Sequence, residues 1–369
     1  MDNYSLIGRI WQRLRAPIDG WLFLFTCLLF GLSLVVLYSA SNENLDKIIS
    51  KASFMLVALA IMWGVANIKP QQLMLLAIPG YIIGVLLLLA VALFGDVTNG
   101  SRRWLHVGVT RIQPSEILKI MVPMMVAWYL QRYENHLRWY HYLVAGGLIL
   151  LPVAFVLKQP DLGTAALILS AGFYVLFLSG LSWRVLVTGA VAFAASLPVI
   201  WHFMHDYQRQ RVLMLLDPSQ DPLGKGYHII QSTIAIGSGG LFGKGWLHGT
   251  QTHLEFIPER TTDFILAVFS EEFGFLGNTC LILLYLLVIA RGMMIAAKAT
   301  SMFGRLMAGS ITLSFFTYAF VNMGMVSGIL PVVGVPLPLV SYGGTAMVTI
   351  LIGFGILMSI HKNRPLIKR

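Results

Sequence analysis

The chain has 369 residues, 57% of them hydrophobic and 11% charged, with a formal net charge of +10. Soluble domains carry about 25% charged residues, so an ordinary soluble domain is excluded and a polytopic membrane protein is implied. The positive balance does not indicate nucleic-acid binding, because no basic patch is interleaved with aromatics that could stack on bases.

A bilayer core about 30 Å thick takes roughly 20 apolar residues as a helix. Apolar runs predict spans near 20–40, 52–67, 73–94, 116–131, 141–157, 162–180, 185–204, 264–290, 306–323 and 344–360. Unpaired backbone groups are too costly in lipid, and the runs lack the alternation of a barrel, so each is read as a helix. The expected fold is all-α: one integral membrane domain over 1–369 with ten transmembrane helices. Arg9, Arg13 and Arg15 precede the first span and place the N-terminus in the cytoplasm. Ten crossings return the C-terminus, with Lys362, Arg364, Lys368 and Arg369, to the same side. Arg132, Arg138, Arg184, Arg291, Lys298 and Arg305 also fall on cytoplasmic connections, which hold only Asp2, Asp19 and Glu134 as acids. The first span is too long for a signal-peptide core and reads as an uncleaved anchor. Cys27 and Cys280 lie inside spans and are expected to pack as small apolar residues.

Polar residues collect in the outer connections. Segment 95–119 carries Arg102, Arg103, Arg111 and Lys119, where short outer loops should be poor in basic residues. These cations either pair with nearby acids and lipid headgroups or form an anion site, since guanidinium forks match phosphate oxygens. Pro114, Ser115 and Glu116 suit a helix start, and Glu116 and Lys119 share a helix face at i, i+3, where they can pair. Asp161, in Pro160-Asp161-Leu162-Gly163-Thr164, fits an N-cap of the sixth span. The stretch 205–263, between helices 7 and 8, is far longer than a usual connection. In it, Ile229, Ile230, Ile234 and Ile236 among polar residues suggest a short interfacial helix. Its glycines at 239–240, 243 and 245 suggest tight turns or close backbone approach to a ligand. A fourth segment, 324–346, is less charged.

Asp263 stands out most, at the outer mouth of the eighth helix after Thr261 and Thr262. A first-turn carboxylate often only satisfies a helix start. Here, however, Glu259 and Arg260 are close, and Glu271 and Glu272 follow inside the same apolar run. On a straight helix Glu271 lies about 12 Å deeper than Asp263, which suggests a polar cavity opening outward. No P-loop, Gly-x-Ser-x-Gly, His-Glu-x-x-His or Cys pair is present. His205, His228, His248 and His253 lack zinc-like spacing. No metal site or cofactor is assigned, and a divalent cation is left open.

Several of these strings together closely resemble the shape, elongation, division and sporulation (SEDS) family of bacterial membrane glycosyltransferases. They are Gln113-Pro114-Ser115-Glu116, Pro160 to Thr164, Gly226-Tyr227 through Gln231-Ser232 to Gly237, Pro258-Glu259-Arg260 with Thr262-Asp263-Phe264, and Ser341-Tyr342-Gly343-Gly344. Their order is the family's and they cover nearly the whole chain. The segments 205–212 and 245–251 are most similar to the elongation branch. Thr261, where that branch often has His, and Lys158 depart from its pattern.

The resemblance implies a glycosyltransferase in the bacterial cytoplasmic (inner) membrane that polymerises lipid II on the outer face during cell elongation. It implies a class B penicillin-binding protein as transpeptidase partner, within a cell-wall elongation complex. Asp263 is then expected to be the general base. Arg102, Arg103, Arg111, Lys119, Arg209 and Arg211 become candidates for pyrophosphate, with Glu116, Asp161 and Ser341 completing the substrate-binding set. A lipid II flippase and a non-catalytic scaffold for the transpeptidase are the competing readings. Acids crowded on the outer side favour chemistry there over alternating access.

Overall fold

In this computed structural model the described residues are 15–98, 101–107, 110–204, 209, 213, 225–254, 256–257 and 259–363. The helices are α1 (Gly20–Ala40), α2 (Leu45–Ala66), the short α3 (Pro70–Leu75), α4 (Ala77–Phe94), α5 (Pro114–Arg132), α6 (Trp139–Lys158), α7 (Leu162–Leu178), α8 (Trp183–Phe203), α9 (Lys225–Ser238), α10 (Thr250–His253), α11 (Ile265–Ala297), α12 (Met302–Val326) and α13 (Gly344–Lys362). Each predicted apolar run coincides with one of these. Seven helices (α1, α2, α4, α6, α11, α12 and α13) are long and apolar enough to cross a membrane. The chain is a multi-pass membrane protein. α7 and α8 are apolar over shorter lengths, and α5 carries Glu116, Lys119 and Arg132.

Close helix packing rests on small residues, as it does where lipid gives no hydrophobic drive for association. A Cβ on Gly355 of α13 would meet Met62 O of α2 at 2.6 Å, and one on Gly292 of α11 would meet Thr312 Oγ1 of α12 at 2.3 Å. α8 stands apart, with Val185, Val187, Val191, Phe193 and Leu197 all exposed. At one end of the bundle Asp19 caps α1 by accepting from Leu22 N at 2.9 Å, and it also accepts from Arg291 Nε at 3.0 Å. His361 Nε2 stands 3.3 Å from the same carboxylate. This joins α1, α11 and α13 at the end that the charge bias assigns to the cytoplasm.

Segment 95–119 departs from an all-helical reading locally. It forms a three-stranded antiparallel sheet of β1 (Asp96–Thr98), β2 (Ser101–Val107) and β3 (Thr110–Ile112). β2 pairs Val97 with Arg102 and His106 with Arg111. The predicted interfacial helix is α9; it buries Ile229, Ser232 and Ala235, and Ser232 Oγ donates to Val326 O of α12 at 2.8 Å.

α11 is not straight. Gly274 has φ 65° and ψ −160°, and Ser270 Oγ lies 3.0 Å from Asn278 Oδ1, although eight residues span about 12 Å along a helix axis. The chain climbs outward over residues 265–273, turns at Gly274, and crosses the membrane over 275–297. Residues 240–245 stitch the break. Lys244 N and Gly245 N donate to Glu271 O and Glu272 O at 3.0 Å, and Phe275 N and Leu276 N donate to Gly240 O and Leu241 O at 2.9 and 3.1 Å. Gly243 serves close approach to the helix backbone, since a Cβ there would stand 2.0 Å from Glu272 O, and so does Gly239, whose Cβ would stand 2.1 Å from Ser270 O; Gly240 and Gly245 instead take positive φ, 55° and 97°.

Candidate functional site

The segment between α12 and α13, residues 327–343, dips back into the bundle, and the interior side chains of Tyr285, Ser33 and Lys51 are tied to it. Pro338 O accepts from Tyr285 Oη at 2.7 Å. Val340 O accepts from Ser33 Oγ at 2.8 Å and from Lys51 Nζ, which also donates to Ser341 O at 3.1 Å. Ser33 lies mid-way along α1, so the segment reaches well below the outer surface.

The turn before α11 hangs on this segment. Ser341 Oγ donates to Thr262 O at 2.6 Å, Tyr342 N donates to Thr261 O at 2.9 Å, and Asn322 Nδ2 bridges Asp263 O (2.8 Å) and Val335 O (2.7 Å). Asp263 faces the backbone of Gly334, where a Cβ would stand 3.4 Å from Oδ2. Burial, and after it the charge of Glu259, push the Asp263 carboxyl up to about 6. A carboxylate at this acidity is a better proton acceptor near neutral pH than an ordinary aspartate.

Glu271 is not deeper than Asp263; the order is reversed. The neighbouring Glu272 accepts from Ser39 near the outer end of α1, whereas the Asp263 turn is tied through Val340 and Ser341 to Ser33, six residues nearer the cytoplasmic end. The bend at Gly274 is the reason. Glu271 is fully buried and accepts from Lys244 Nζ (2.7 Å), Gln251 N (3.0 Å), Thr252 N (3.3 Å) and Thr252 Oγ1 (3.1 Å). It folds the outer connection onto α11 and does not line a cavity with Asp263.

Asp161 caps α7, accepting from Thr164 N at 3.1 Å and Thr164 Oγ1 at 2.9 Å. Its turn reaches the same segment, since a Cβ on Gly163 would stand 2.8 Å from Val333 O. The two aspartate turns thus meet the consecutive residues Val333 and Gly334. Glu116 and Lys119 pair at 2.6 Å with side chains only 13% and 8% exposed. Thr349 Oγ1 donates to Glu116 Oε2 at 3.1 Å, and Lys119 Nζ stands 5.2 Å from the Tyr318 ring centroid. Tyr318 packs on Leu167 and Val335, which links this pair to the same segment. A small cavity of about 40 Å³ lies beside Lys119, Tyr318 and Thr349.

Arg102 and Arg103 lie on β2 and Arg111 on β3, and β2 packs against α4 and α5. Arg209 donates to Trp201 O at 3.1 Å and His202 O at 2.7 Å, at the end of α8. Arg211 lies outside the described residues. Ser341, a substrate-binding candidate, has its hydroxyl engaged on Thr262 O and Leu337 N. Sequence reasoning missed Lys51, Tyr318 and Asn322. Lys51 and Asn322 carried a signal, a strongly polar residue inside an apolar helix; Tyr318 carried none. Among the described residues no group of three or more His, Cys, Asp or Glu is placed to hold a metal.

Residues 20–365 match the model of the cell-cycle protein family that unites FtsW, RodA and SpoVE. The chain belongs to this family. It is 52% identical over 356 residues to the peptidoglycan glycosyltransferase MrdB of Escherichia coli K12, covering 96% of both chains. It is 31% identical to the peptidoglycan glycosyltransferase RodA of Treponema pallidum, covering 95% of this chain and 99% of that one. The crystal structure of Thermus thermophilus RodA shares the fold with a TM-score of 0.72 at 29% identity, over 94% of this chain and 97% of that one. A chain from a structure described as coordinating polymerization and crosslinking by a peptidoglycan synthase complex matches with a TM-score of 0.82 at 34% identity, over 94% and 98%.

Proposed function

We propose that this chain is a peptidoglycan glycosyltransferase of the bacterial cytoplasmic membrane that polymerises lipid II on the outer face. The observation that carries the reading is Asp263, held by Ser341 and Asn322 against Gly334 with its carboxyl raised to about 6. The 4-hydroxyl oxygen of the acceptor sugar attacks C1 of the donor. The bond from C1 to the pyrophosphate oxygen breaks with inversion, and the hydroxyl proton passes to Asp263. Such a base contributes about 10²–10⁴-fold. Cations of the sheet, Arg102, Arg103 and Arg111, together with Lys119, Arg209 and Arg211, are the groups available to the departing pyrophosphate. An apolar groove between α11 and α12, lined by Leu266, Tyr285, Leu286, Phe316, Phe320 and Met323, runs from the Asp263 helix along the lipid face and suits a prenyl chain. The proposed partner is a class B penicillin-binding protein.

The test is polymerisation of labelled lipid II by the purified complex with its transpeptidase inactivated. Wild type should make glycan strands. Asp263→Asn, which preserves size and backbone, should fold, bind the partner and lose at least about a hundredfold in rate. Equal rates would remove Asp263 from the chemistry; an inactive but intact wild-type complex would restore the flippase or scaffold reading.

A further inference from the structure

Lys51 is a buried lysine near the site whose side chain the reaction above does not use. It lies on α2, is 1% exposed, and makes no ion pair with any described residue; its ammonium goes to the carbonyls of Val340 and Ser341. A buried amine costs several kcal/mol unless its hydrogen bonds are made, so Lys51 and the two carbonyls it reaches fix one another. What it grips is a strained turn. Leu339 has φ 64°, a left-handed conformation that costs a non-glycine residue about 1–2 kcal/mol. The turn's carbonyls are taken by donors from three helices: Tyr285 of α11 on Pro338, Ser33 of α1 on Val340, and Lys51 of α2 on Val340 and Ser341. With its carbonyls fixed from behind, the turn presents the Ser341 hydroxyl to Thr262 O and the Tyr342 amide to Thr261 O.

We infer that Lys51 is a positioning residue for glycosyl transfer, setting the placement of Asp263 through the 337–342 turn without touching substrate. The inference rests on the assignment of Asp263 as base. Such a role separates turnover from binding, since a displacement near 1 Å costs up to about a hundredfold in rate while the substrate-binding groups stay where they are.

The experiment measures kcat and KM for lipid II in the complex with inactivated transpeptidase, for Lys51→Met, Lys51→Gln, Ser33→Ala and Asp263→Asn. Lys51→Met should lower kcat roughly ten- to a hundredfold with KM within about twofold and the thermal midpoint of the complex kept. Lys51→Gln, which restores a donor to the carbonyls, should recover most of the loss. Should Lys51→Met fail to fold, Ser33→Ala, which removes the other donor to Val340 O, is expected to show the same kcat-only loss, and wild-type kinetics there overturn the relay. Wild-type kcat in a folded Lys51→Met, or a loss confined to KM, also overturns it while leaving the base assignment intact. An active Asp263→Asn overturns the base and the relay together.

Discussion

A carboxyl pushed up to about 6 makes a directional prediction about rate. The base works only when deprotonated, so polymerisation should rise with pH through about 6 and level off above it. Below that value each unit should cost about tenfold. Glu259 is the charge that adds to burial in raising Asp263, so Glu259→Gln should move the inflection to lower pH without changing the plateau. An inflection that stays in place would assign the whole shift to burial. The Glu116–Lys119 pair makes a second prediction. Lys119→Met alone leaves a carboxylate uncompensated among buried groups and should cost about 3–5 kcal/mol in unfolding measurements. Adding Glu116→Gln should recover much of that. If the double variant regains stability but not polymerisation, the pair serves substrate; if it regains both, the pairing is its whole role. Asp263 and Asp161 were legible in the sequence because each is an acid at the mouth of an apolar run. Asn322 and Lys51 were not singled out: isolated polar residues in a span show their purpose only once a partner is seen, and theirs lie 13 and 289 residues away.

At the scale of elements, α11 shows why a hydropathy pattern can place a helix and still misplace its residues. Apolar periodicity continues through Gly274, so the sequence reads as one axis and orders Asp263 above Glu271. The reversal depends on a single left-handed glycine and on a distant strip, 240–245, whose backbone groups satisfy those freed at the break. Gly274→Ala puts a Cβ 2.3 Å from Gly243 N at φ 65°, so it should lower stability by about 2–4 kcal/mol. Gly147→Ala, where a Cβ meets nothing within 4 Å, should be neutral or stabilise slightly in the same unfolding assay. Equal effects of the two would mean that the break is not held by close packing. The sheet at 96–112 escaped the sequence reading for a different reason. Its strands are of three, seven and three residues, too short for a period of two to stand out from a charged loop.

For the whole molecule, residues that the positive-inside bias groups on one side also meet at one end of the bundle. Charge counting places Arg291 and Lys362 inside; the packing brings Arg291 and His361 onto Asp19 at one end of the bundle, while the Asp263 turn lies towards the other. The two cysteines offer a built-in control. Expected within spans as small apolar residues, both lie on the exposed outside of the bundle within α1 and α11, which lipid makes as apolar a setting as the core. An impermeant maleimide should therefore miss Cys27 and Cys280 from either side. In a variant lacking both, Leu254→Cys, at an exposed position beyond α10, should react in intact cells. Asn363→Cys, just past α13, should be protected there and react only in inverted vesicles. Labelling of both only in inverted vesicles would require an even number of crossings between them, in place of the three made by α11, α12 and α13, and Asp263 would then face the cytoplasm, where its acceptor would have to be a sugar not yet translocated.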